Sequence, residues 1–212
     1  MTQRDVGEAW ERTIVESGLP IAWSEADRPR PRISFGAPLP VGVAADRELI
    51  DVVLTERLPA WRVREALAAR TPPGWSIAEL HDVWLAGPPL AGRVVAADYR
   101  IELAGVDLDG EVAAAAIERL RAARSIPRLR AKGGGTVEYD LRPLLVELEL
   151  VGTDRPLTIR ARTRFHAELG TGRPEEVVGA LGDSLGRPLE AASIVRERLL
   201  LAEDLEVGGG GR

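Results

Sequence analysis

Apolar residues recur along this chain with two periods, one typical of helices and one typical of strands. Helical spacing predicts helices over 5–17, over 59–70, after Asp109 and from Pro174 to about residue 185. Alternation predicts strands at 33–35, 48–54, 99–103, 144–150, 157–165 and 193–201, with shorter extended pieces near Leu129 and at 136–140. The pattern therefore indicates a mixed α+β fold.

Capping and breaking residues set the predicted helix ends. Asp5 is suited to cap the first helix, and Glu8 follows three residues later as in a capping box. The sequence at 18–20, Gly-Leu-Pro, ends that helix. The last helix is expected to begin at Pro174 and to close at Gly186.

The predicted elements occur in nearly the same order twice. The second half is β-α-β-β-α-β, the ferredoxin-like motif, and the first half is the same motif without its opening strand. We therefore predict two tandem ferredoxin-like units, residues 1–88 and 89–204, followed by a flexible tail at 205–212. The alternative is one continuous α+β sheet with its helices on one side.

The missing first strand has a structural consequence. In a ferredoxin-like sheet that strand is central, so its absence would leave two pairing edges unsatisfied. We expect that another segment fills the gap, that the two halves share a sheet, or that the native start lies upstream of Met1.

Composition excludes several kinds of chemistry. The chain has 212 residues and no cysteine, so disulfides, Cys-ligated zinc, thiol nucleophiles and iron–sulfur clusters on its own thiolates are excluded. We therefore expect no cofactor on this chain. No apolar run approaches the ~20 residues of a membrane span, and no signal sequence is evident. A cytoplasmic location without a membrane partner is the default expectation.

The charge balance bears on possible partners. A formal net charge of −5 argues against nonspecific binding to duplex nucleic acid, which basic domains perform. Lys132 is the only lysine, so nearly every positive charge belongs to an arginine. A GC-rich genome would produce that bias without a functional cause, but guanidinium groups also suit phosphate and carboxylate recognition.

Several motifs resemble the radical-SAM-associated proteins, a bacterial domain of unknown function fused to or encoded beside a radical SAM protein. The resemblance lies in the segments 18–24, 29–35, 38–43 and 48–51 and in the Asp-Leu-Arg-Pro element at 140–143. The matching motif positions are Asp5, Pro29, Pro31, Pro38, Gly42, Glu48, Asp51, Asp140, Arg142 and Pro143. The resemblance covers essentially the whole chain and implies a radical SAM protein as partner.

The chain departs from that family at three places. Ala26 and Asp27 stand where the family usually has Gly-Phe, and the family's preceding strand is absent. At residues 2–5 the family tends to carry Ser-His-Leu-Asp, so the histidine is missing here while Asp5 remains. The family has no settled reaction that the resemblance could transfer.

An arginine–proline stretch is the most unusual local feature. Prolines between Arg28, Arg30 and Arg32 favour an extended backbone that displays the guanidinium groups to phosphates or an acidic partner. Trp23 and Phe35 flank this stretch and are candidate stacking surfaces. The alternative is a solvated polyproline connector that positions the following strand.

A second set of arginines lies on one predicted strand. A turn near Thr153 would place Glu147 opposite Arg160, and a cross-strand ion pair would account for that arginine. With the same turn, Arg162 and Arg164 would face Leu145 and Pro143 and would lack local partners. Those two arginines therefore join the candidate contact residues.

No catalytic constellation emerges from the titratable residues. His81 and Asp82 could form an acid–base pair, but no nucleophile or second acid accompanies them. Asp51, Asp98 and Asp140 supply carboxylates without the spacing of a metal site, so no metal ligand is assigned. Asp140 and Arg142 are expected to form a structural bridge or bend before the following proline.

These observations leave three functional hypotheses. The first is a non-enzymatic accessory or substrate-recognition module that partners a radical SAM protein. The second is an RNA-binding or RNA-processing protein that uses arginine-rich loops, by analogy with paired ferredoxin-like units. The third is a small-ligand enzyme that uses His81 or Asp51.

Overall fold

The computed structural model describes residues 3–83, 88–104, 108–132, 134–151 and 156–207. The chain divides into two compact units. Unit 1 contains residues 1–41 and 48–93, and unit 2 contains residues 42–47 and 94–212.

Within the described residues, six α-helices and ten strands follow one another along the chain. The helices are α1 (Gln3–Glu16), α2 (Ala60–Ala68), α3 (Leu90–Arg93), α4 (Gly110–Ala122), α5 (Pro174–Leu185) and α6 (Ala202–Val207). The strands are β1 (Ile33–Phe35), β2 (Ala44–Ala45), β3 (Ile50–Val52), β4 (Val94–Leu103), β5 (Pro127–Lys132), β6 (Gly135–Asp140), β7 (Leu145–Leu150), β8 (Thr158–His166), β9 (Gly170–Thr171) and β10 (Ala191–Leu201).

Unit 1 is built on a small sheet and the helices α1, α2 and α3. Strands β1 and β3 pair antiparallel, with Ser34 opposite Asp51. The core of unit 1 contains Ile14 from α1, Leu67 from α2, and Ile21 from the segment between α1 and β1. Burying each of these aliphatic side chains stabilises the unit by about 1.5–3 kcal/mol.

Unit 2 contains a larger sheet with the strand order β2-β10-β4-β8-β7, and β9 pairs with β8. Strands β10, β4, β8 and β7 are antiparallel to their neighbours, whereas β2 runs parallel to β10. Helices α4 and α5 contact each other and cover one face, where Ile101, Ile159 and Leu181 are fully buried. We call the opposite face the open face.

The helix ends of unit 2 follow local rules. Asp109 caps α4, since its carboxylate accepts hydrogen bonds from the backbone N–H groups of Glu111 at 2.7 Å and Val112 at 3.3 Å. Gly186 ends α5 in the left-handed conformation, with φ of 68°, which favours glycine. Both ends were predicted from the sequence.

A two-stranded hairpin, β5–β6, follows α4. Arg128 anchors it to α5, because its Nε donates to Glu176 at 2.9 Å and its Nη1 donates to Asp183. The guanidinium group of Arg130 lies 4.9 Å above the ring centroid of Tyr139 on the same hairpin.

The mixed α+β class is confirmed, but the tandem ferredoxin-like architecture is not. In the described part of unit 1 the only sheet has two strands, and residues 71–83, which follow α2, form no strand. Ala44–Ala45, from the first half of the sequence, lies at the edge of the unit 2 sheet. Of the expected tail, residues through Val207 are helical and 208–212 lie outside the described residues.

Among the described helices, none combines the length and the apolar character that crossing a bilayer requires.

Candidate functional site

The arginine–proline stretch forms the second arm of a short hairpin, residues 21–32, which we call the arginine hairpin. Trp23 lies opposite Pro31 in an antiparallel bridge. The backbone N–H of Arg32 donates to the carbonyl of Ala22 at 2.8 Å. The stretch is thus tied to the residues before it and is not an isolated polyproline connector.

A ring of three backbone hydrogen bonds fixes the base of this hairpin. Arg32 donates to Ala22, Ala22 donates to Val53 at 2.8 Å, and Val53 donates back to the carbonyl of Arg32 at 3.0 Å. Next to the ring, Ile21 lies opposite Leu54 in a second antiparallel bridge. The backbone beneath the arginines is therefore held in place before any ligand binds.

The alternation of side chains places Arg32 on the face of unit 1 that points away from its core. Ile21, Ile33 and Val52 belong to the core cluster or pack against it. Their neighbours Arg32 and Val53 point the other way, because successive side chains of extended backbone face opposite sides. Arg32 is exposed, and Val53 is 39% exposed.

The tryptophan of the hairpin lies on the other face. The Trp23–Pro31 pair is flanked by hydrogen bonds and makes none across itself, so these two side chains share one face. Arg30 and Arg32, on either side of Pro31, therefore point to the opposite face. Trp23 is 49% exposed, whereas Phe35 is half-buried in β1. The structure therefore does not gather Arg30, Arg32 and Trp23 on one surface.

The arginines of this hairpin have no carboxylate partner in the described part of the chain. Arg28, Arg30 and Arg32 are exposed, and none of them forms an ion pair with another residue in the described part of the chain. Exposed guanidinium groups without an internal carboxylate keep their forked donors for an external anion.

The arginines of β8 have a different environment, because the expected strand register is wrong by two residues. Glu147 lies opposite Arg162, not Arg160, and Glu149 lies opposite Arg160. A two-residue slip leaves the alternation of apolar and polar positions unchanged, so the sequence pattern could not reveal it. The expected turn at Thr153 lies outside the described residues.

The partners predicted for the other two arginines change accordingly. Arg162 does not face Leu145, which lies opposite Thr163 next to a β-bulge. Arg164 lies opposite Ala96 of β4, is exposed, and has no ion-pair partner among the described residues. Arg164 thus remains a candidate contact residue, whereas Arg162 is engaged within the fold.

Asp98 is the centre of the ion pairs on the open face. Arg162 donates through Nε to one carboxylate oxygen at 2.6 Å and through Nη2 to the other at 3.1 Å. Arg198 donates through Nε to the same carboxylate at 2.8 Å. The Asp98 side chain is only 6% exposed. Burial alone would raise the pKa of Asp98, but the two guanidinium groups outweigh burial and lower it.

A second row of charges runs beside the first. Arg160 donates to Glu197 at 2.8 Å and to Glu149 at 3.2 Å. Arg100 lies 3.4 Å from Glu197 and 3.7 Å from Asp46. We call the two rows together the charge network.

The charge network surrounds an open cavity of about 450 Å³. Its arginines are already bound by carboxylates of unit 2, so an incoming anion would have to displace them. The lowered pKa of Asp98 also keeps this carboxylate ionised and weakly basic, which does not suit a general base at neutral pH. The arrangement therefore fits a stabilising role in the sheet better than a catalytic one.

Sequence reasoning missed this network almost entirely. Asp98 was considered only as one of several carboxylates, and Glu197 and Arg198 were not singled out. The available signal was the presence of charged residues at alternate positions of three predicted strands. Which of them meet depends on the order of the strands in the sheet.

The Asp-Leu-Arg-Pro element forms a bend and not a bridge between its own side chains. Asp140 accepts hydrogen bonds from the backbone N–H groups of Ile126 at 2.7 Å and of Arg142 at 2.9 Å. Burial would raise the pKa of Asp140, but these hydrogen bonds lower it. Pro143 lies in the 3₁₀ turn that follows.

Arg142 closes the C-terminal end of α4. Its guanidinium group donates to the carbonyls of Arg121 at 3.1 Å, Ala123 at 3.1 Å and Leu145 at 2.8 Å. The contacts with Arg121 and Ala123 satisfy carbonyls that the helix end leaves without partners, and the contact with Leu145 ties this end to the start of β7. The element thus has a structural role in unit 2.

Of the remaining motif positions, Gly42 belongs to unit 2 and the others belong to unit 1. Asp5 is within the first turn of α1, which begins at Gln3, so Asp5 is not the N-terminal cap. Gly42 has φ of 82°, a conformation that favours glycine. Pro29, Pro38 and Glu48 lie outside regular elements, and Asp51 is half-buried in β3.

His81 and Asp82, which the sequence offered as a possible acid–base pair, bind other residues. The Nε2 of His81 lies 3.2 Å from Glu79, and Asp82 accepts a hydrogen bond from Arg57 at 2.9 Å. Both contacts are exposed. Within the described residues, no group of three or more His, Cys, Asp or Glu side chains is placed to hold a metal ion.

Comparison with known proteins places the chain in a family. Residues 1–177 match the model of a family described as an uncharacterized protein conserved in bacteria, DUF2344. No match is found among curated proteins. The family description names neither an activity nor a radical SAM partner. Because the match covers well over half of the sequence, the chain belongs to the DUF2344 family.

Proposed function

We propose that this protein is a non-enzymatic accessory module that recognises an acidic surface of a partner protein through Arg28, Arg30 and Arg32. The observation that carries the proposal is the exposure of these three arginines without an internal carboxylate partner, on a hairpin fixed by backbone hydrogen bonds. Such preorganisation lowers the entropic cost of binding.

The resemblance described above suggests that the partner is a radical SAM protein. This chain has no cysteine, so the iron–sulfur cluster of such a system would reside in the partner. The accessory module would then present or recognise the substrate, in the cytoplasm.

Co-purification tests the proposal. The tagged full-length chain would be co-expressed with each radical SAM protein of its own organism, and retention would be measured at rising salt. The triple variant Arg28→Ala, Arg30→Ala and Arg32→Ala should lose most of the retained protein, because exposed charge contacts are screened and individually weak.

A charge-matched control is available in unit 1. Arg12, Arg62 and Arg70 are also exposed, and replacing all three by alanine changes the net charge by the same amount. This control should retain the partner as the unchanged protein does. Equal loss in both triple variants, or no retained radical SAM protein at all, would contradict the proposal.

RNA binding is the second candidate, and the exposed Trp23 favours it, since an exposed indole offers a stacking surface for a base. RNA binding is the weaker candidate, because Trp23 lies on the other face of the hairpin from Arg30 and Arg32. RNA binding requires salt-sensitive retention of RNA that falls in the same triple variant and in Trp23→Ala. Retention that is absent or independent of salt would remove this candidate.

We further propose that unit 2 is a ferredoxin-like unit. The order β4-α4-β7-β8-α5-β10 and the strand order β10-β4-β8-β7 support this proposal, because both match that motif. A crystal structure of the protein with the same order of strands in the unit 2 sheet would support the proposal, and one with a different order would contradict it.

A further inference from the structure

Strand β7 forms one edge of the unit 2 sheet. It pairs with β8 on one side, and no other described strand pairs with its other side. A β-bulge lies between Leu145 and Glu147, so the regular part of the edge runs from residue 147 to residue 150. An unpaired edge of this kind is a template for an additional strand.

The register shows which backbone groups of this edge are available. The N–H of Val151 donates to the carbonyl of Thr158 at 2.7 Å. The backbone N–H and C=O groups of every second residue counted back from Val151 therefore point towards β8. The N–H and C=O groups of Leu148 and Leu150 therefore point away from the sheet. Among the described residues they have no hydrogen-bond partner.

The open face beside this edge is acidic. Glu147 and Glu149 are each 59% exposed. Each uses its Oε1 for one arginine of β8, Glu147 for Arg162 and Glu149 for Arg160. A strand added at β7 would extend each of the two rows of the charge network by one side chain. These added side chains would lie beside Glu147 and Glu149. Basic residues at every second position would complete both rows.

The helix side of the edge has room for smaller side chains. A groove of about 370 Å³ lies between α4 and β7. Its lining consists of Glu118, Arg121, Ala122, Arg142 and residues 145–148. An added strand would place its alternate side chains here, next to the apolar atoms of Ala122 and Leu148.

A second copy of this chain does not fit the same edge. Two β7 strands paired antiparallel would place Glu147 and Glu149 of one copy opposite those of the other, and like charges directly opposite are destabilising. The edge therefore discriminates against self-association while remaining open to a basic strand.

We infer that the β7 edge binds an extended segment of a partner protein in which basic residues alternate with apolar residues, as an added strand of the unit 2 sheet. This surface is separate from the arginine hairpin. The inference therefore does not depend on the proposed function.

Synthetic peptides test this inference on the full-length protein. The probe is a peptide of about seven residues, matched to strand length, with alternating arginine and valine. A peptide of the same composition with its arginines in one block is the control. The alternating peptide should bind and slow the amide hydrogen exchange of Leu148 and Leu150, which NMR resolves, and the block peptide should bind far more weakly.

Backbone methylation of the peptide separates strand addition from simple charge attraction. N-methylation of the residues whose N–H groups face β7 should abolish binding, and N-methylation of the alternate set should leave it nearly unchanged. Because both sets are tested, the result does not depend on the direction in which the peptide runs.

A matched pair of protein variants tests the charge match. Glu147→Gln with Glu149→Gln should weaken binding of the alternating peptide about fivefold, as two cross-strand charge pairs predict. Glu168→Gln with Glu190→Gln makes the same change in net charge at exposed positions elsewhere in unit 2 and should leave binding unchanged.

Three results would overturn the inference. The first is no binding of the alternating peptide, and the second is equal binding of the alternating and block peptides. The third is equal binding of the two methylated peptides, which would show attraction to an acidic surface without strand addition.

Discussion

The arginines of unit 1 and those of unit 2 have the same side chain and opposite environments. In the arginine hairpin, Arg30 and Arg32 are exposed and lack an ion-pair partner among the described residues. In the charge network, Arg162 is only 18% exposed and binds both Asp98 and Glu147. One set is available to an external anion and the other is occupied by carboxylates of its own sheet.

This difference shows that an arginine-rich stretch is not by itself evidence of binding. A guanidinium group that already has a buried carboxylate partner stabilises the fold, and removing either partner leaves an unpaired charge. An exposed guanidinium group contributes little to stability and keeps its donors for an external anion. Substitutions in the charge network and in the arginine hairpin test this division.

Asp98→Asn should have the largest effect, because it leaves Arg162 and Arg198 without their shared carboxylate. We expect the free energy of unfolding of unit 2 to fall by about 3 kcal/mol. Glu149→Gln, which removes a more exposed partner, should cost less than about 1 kcal/mol. Urea titration followed by hydrogen exchange of the β4 and β8 amides measures both changes.

The distribution of aromatic residues helps to separate the two units. All five tryptophans of the sequence lie in the residues of unit 1, and both tyrosines lie in unit 2. Tryptophan fluorescence therefore reports on unit 1 alone.

Equal loss of stability in Asp98→Asn and Glu149→Gln would show that burial of the charge network does not determine how much its ion pairs stabilise unit 2.

Arg142→Ala should have the next largest effect. It removes three hydrogen bonds from a charged donor to backbone carbonyls and should cost about 2 kcal/mol. The control is Arg121→Ala, which removes an exposed pair with Glu118 on the same helix and should cost less than about 0.5 kcal/mol. Thermal unfolding followed by far-UV circular dichroism distinguishes the two variants.

Acid should weaken unit 2 through its lowered carboxyl pKa values. Asp98 and Asp140 both have pKa values below their ordinary value of 3.8. Their contribution is fully present above that value and is lost as pH falls through the lowered pKa of the folded state. The free energy of unfolding, measured from about pH 6 to about pH 2, should decrease below about pH 4. The decrease should be less steep in Asp98→Asn. Identical acid profiles for the two proteins would contradict this assignment.

The smallest effect on stability is expected where the largest effect on binding is proposed. Replacing Arg28, Arg30 and Arg32 by alanine should change the free energy of unfolding of unit 1 by less than about 0.5 kcal/mol per residue, as followed by tryptophan fluorescence. A larger loss would mean that these arginines support the fold and would remove the basis of the comparison.

Much of the local structure could be predicted because it depends on neighbours in the sequence. The cap at Asp109, the left-handed end at Gly186 and the strand at β1 lie where the pattern indicated. These features depend on hydrogen bonds and backbone conformations within a few residues.

The long-range features could not be predicted in the same way. The β7–β8 register differs by two residues from the expected one, and Ala44–Ala45 joins the sheet of unit 2. The closed ring of hydrogen bonds also joins Val53 to Ala22 and Arg32 of the arginine hairpin, which lies in a distant part of the sequence. Periodicity contains no information on which distant segments meet.

The mixed α+β class, the positions of most helices and strands, and the absence of thiol chemistry therefore follow from the order of the residues alone. Local conformational preference and residue composition suffice for these properties. Which arginines have carboxylate partners is a property of the folded molecule, because a cross-strand ion pair depends on strand order and register. The availability of Arg30 and the occupation of Arg162 follow from that arrangement.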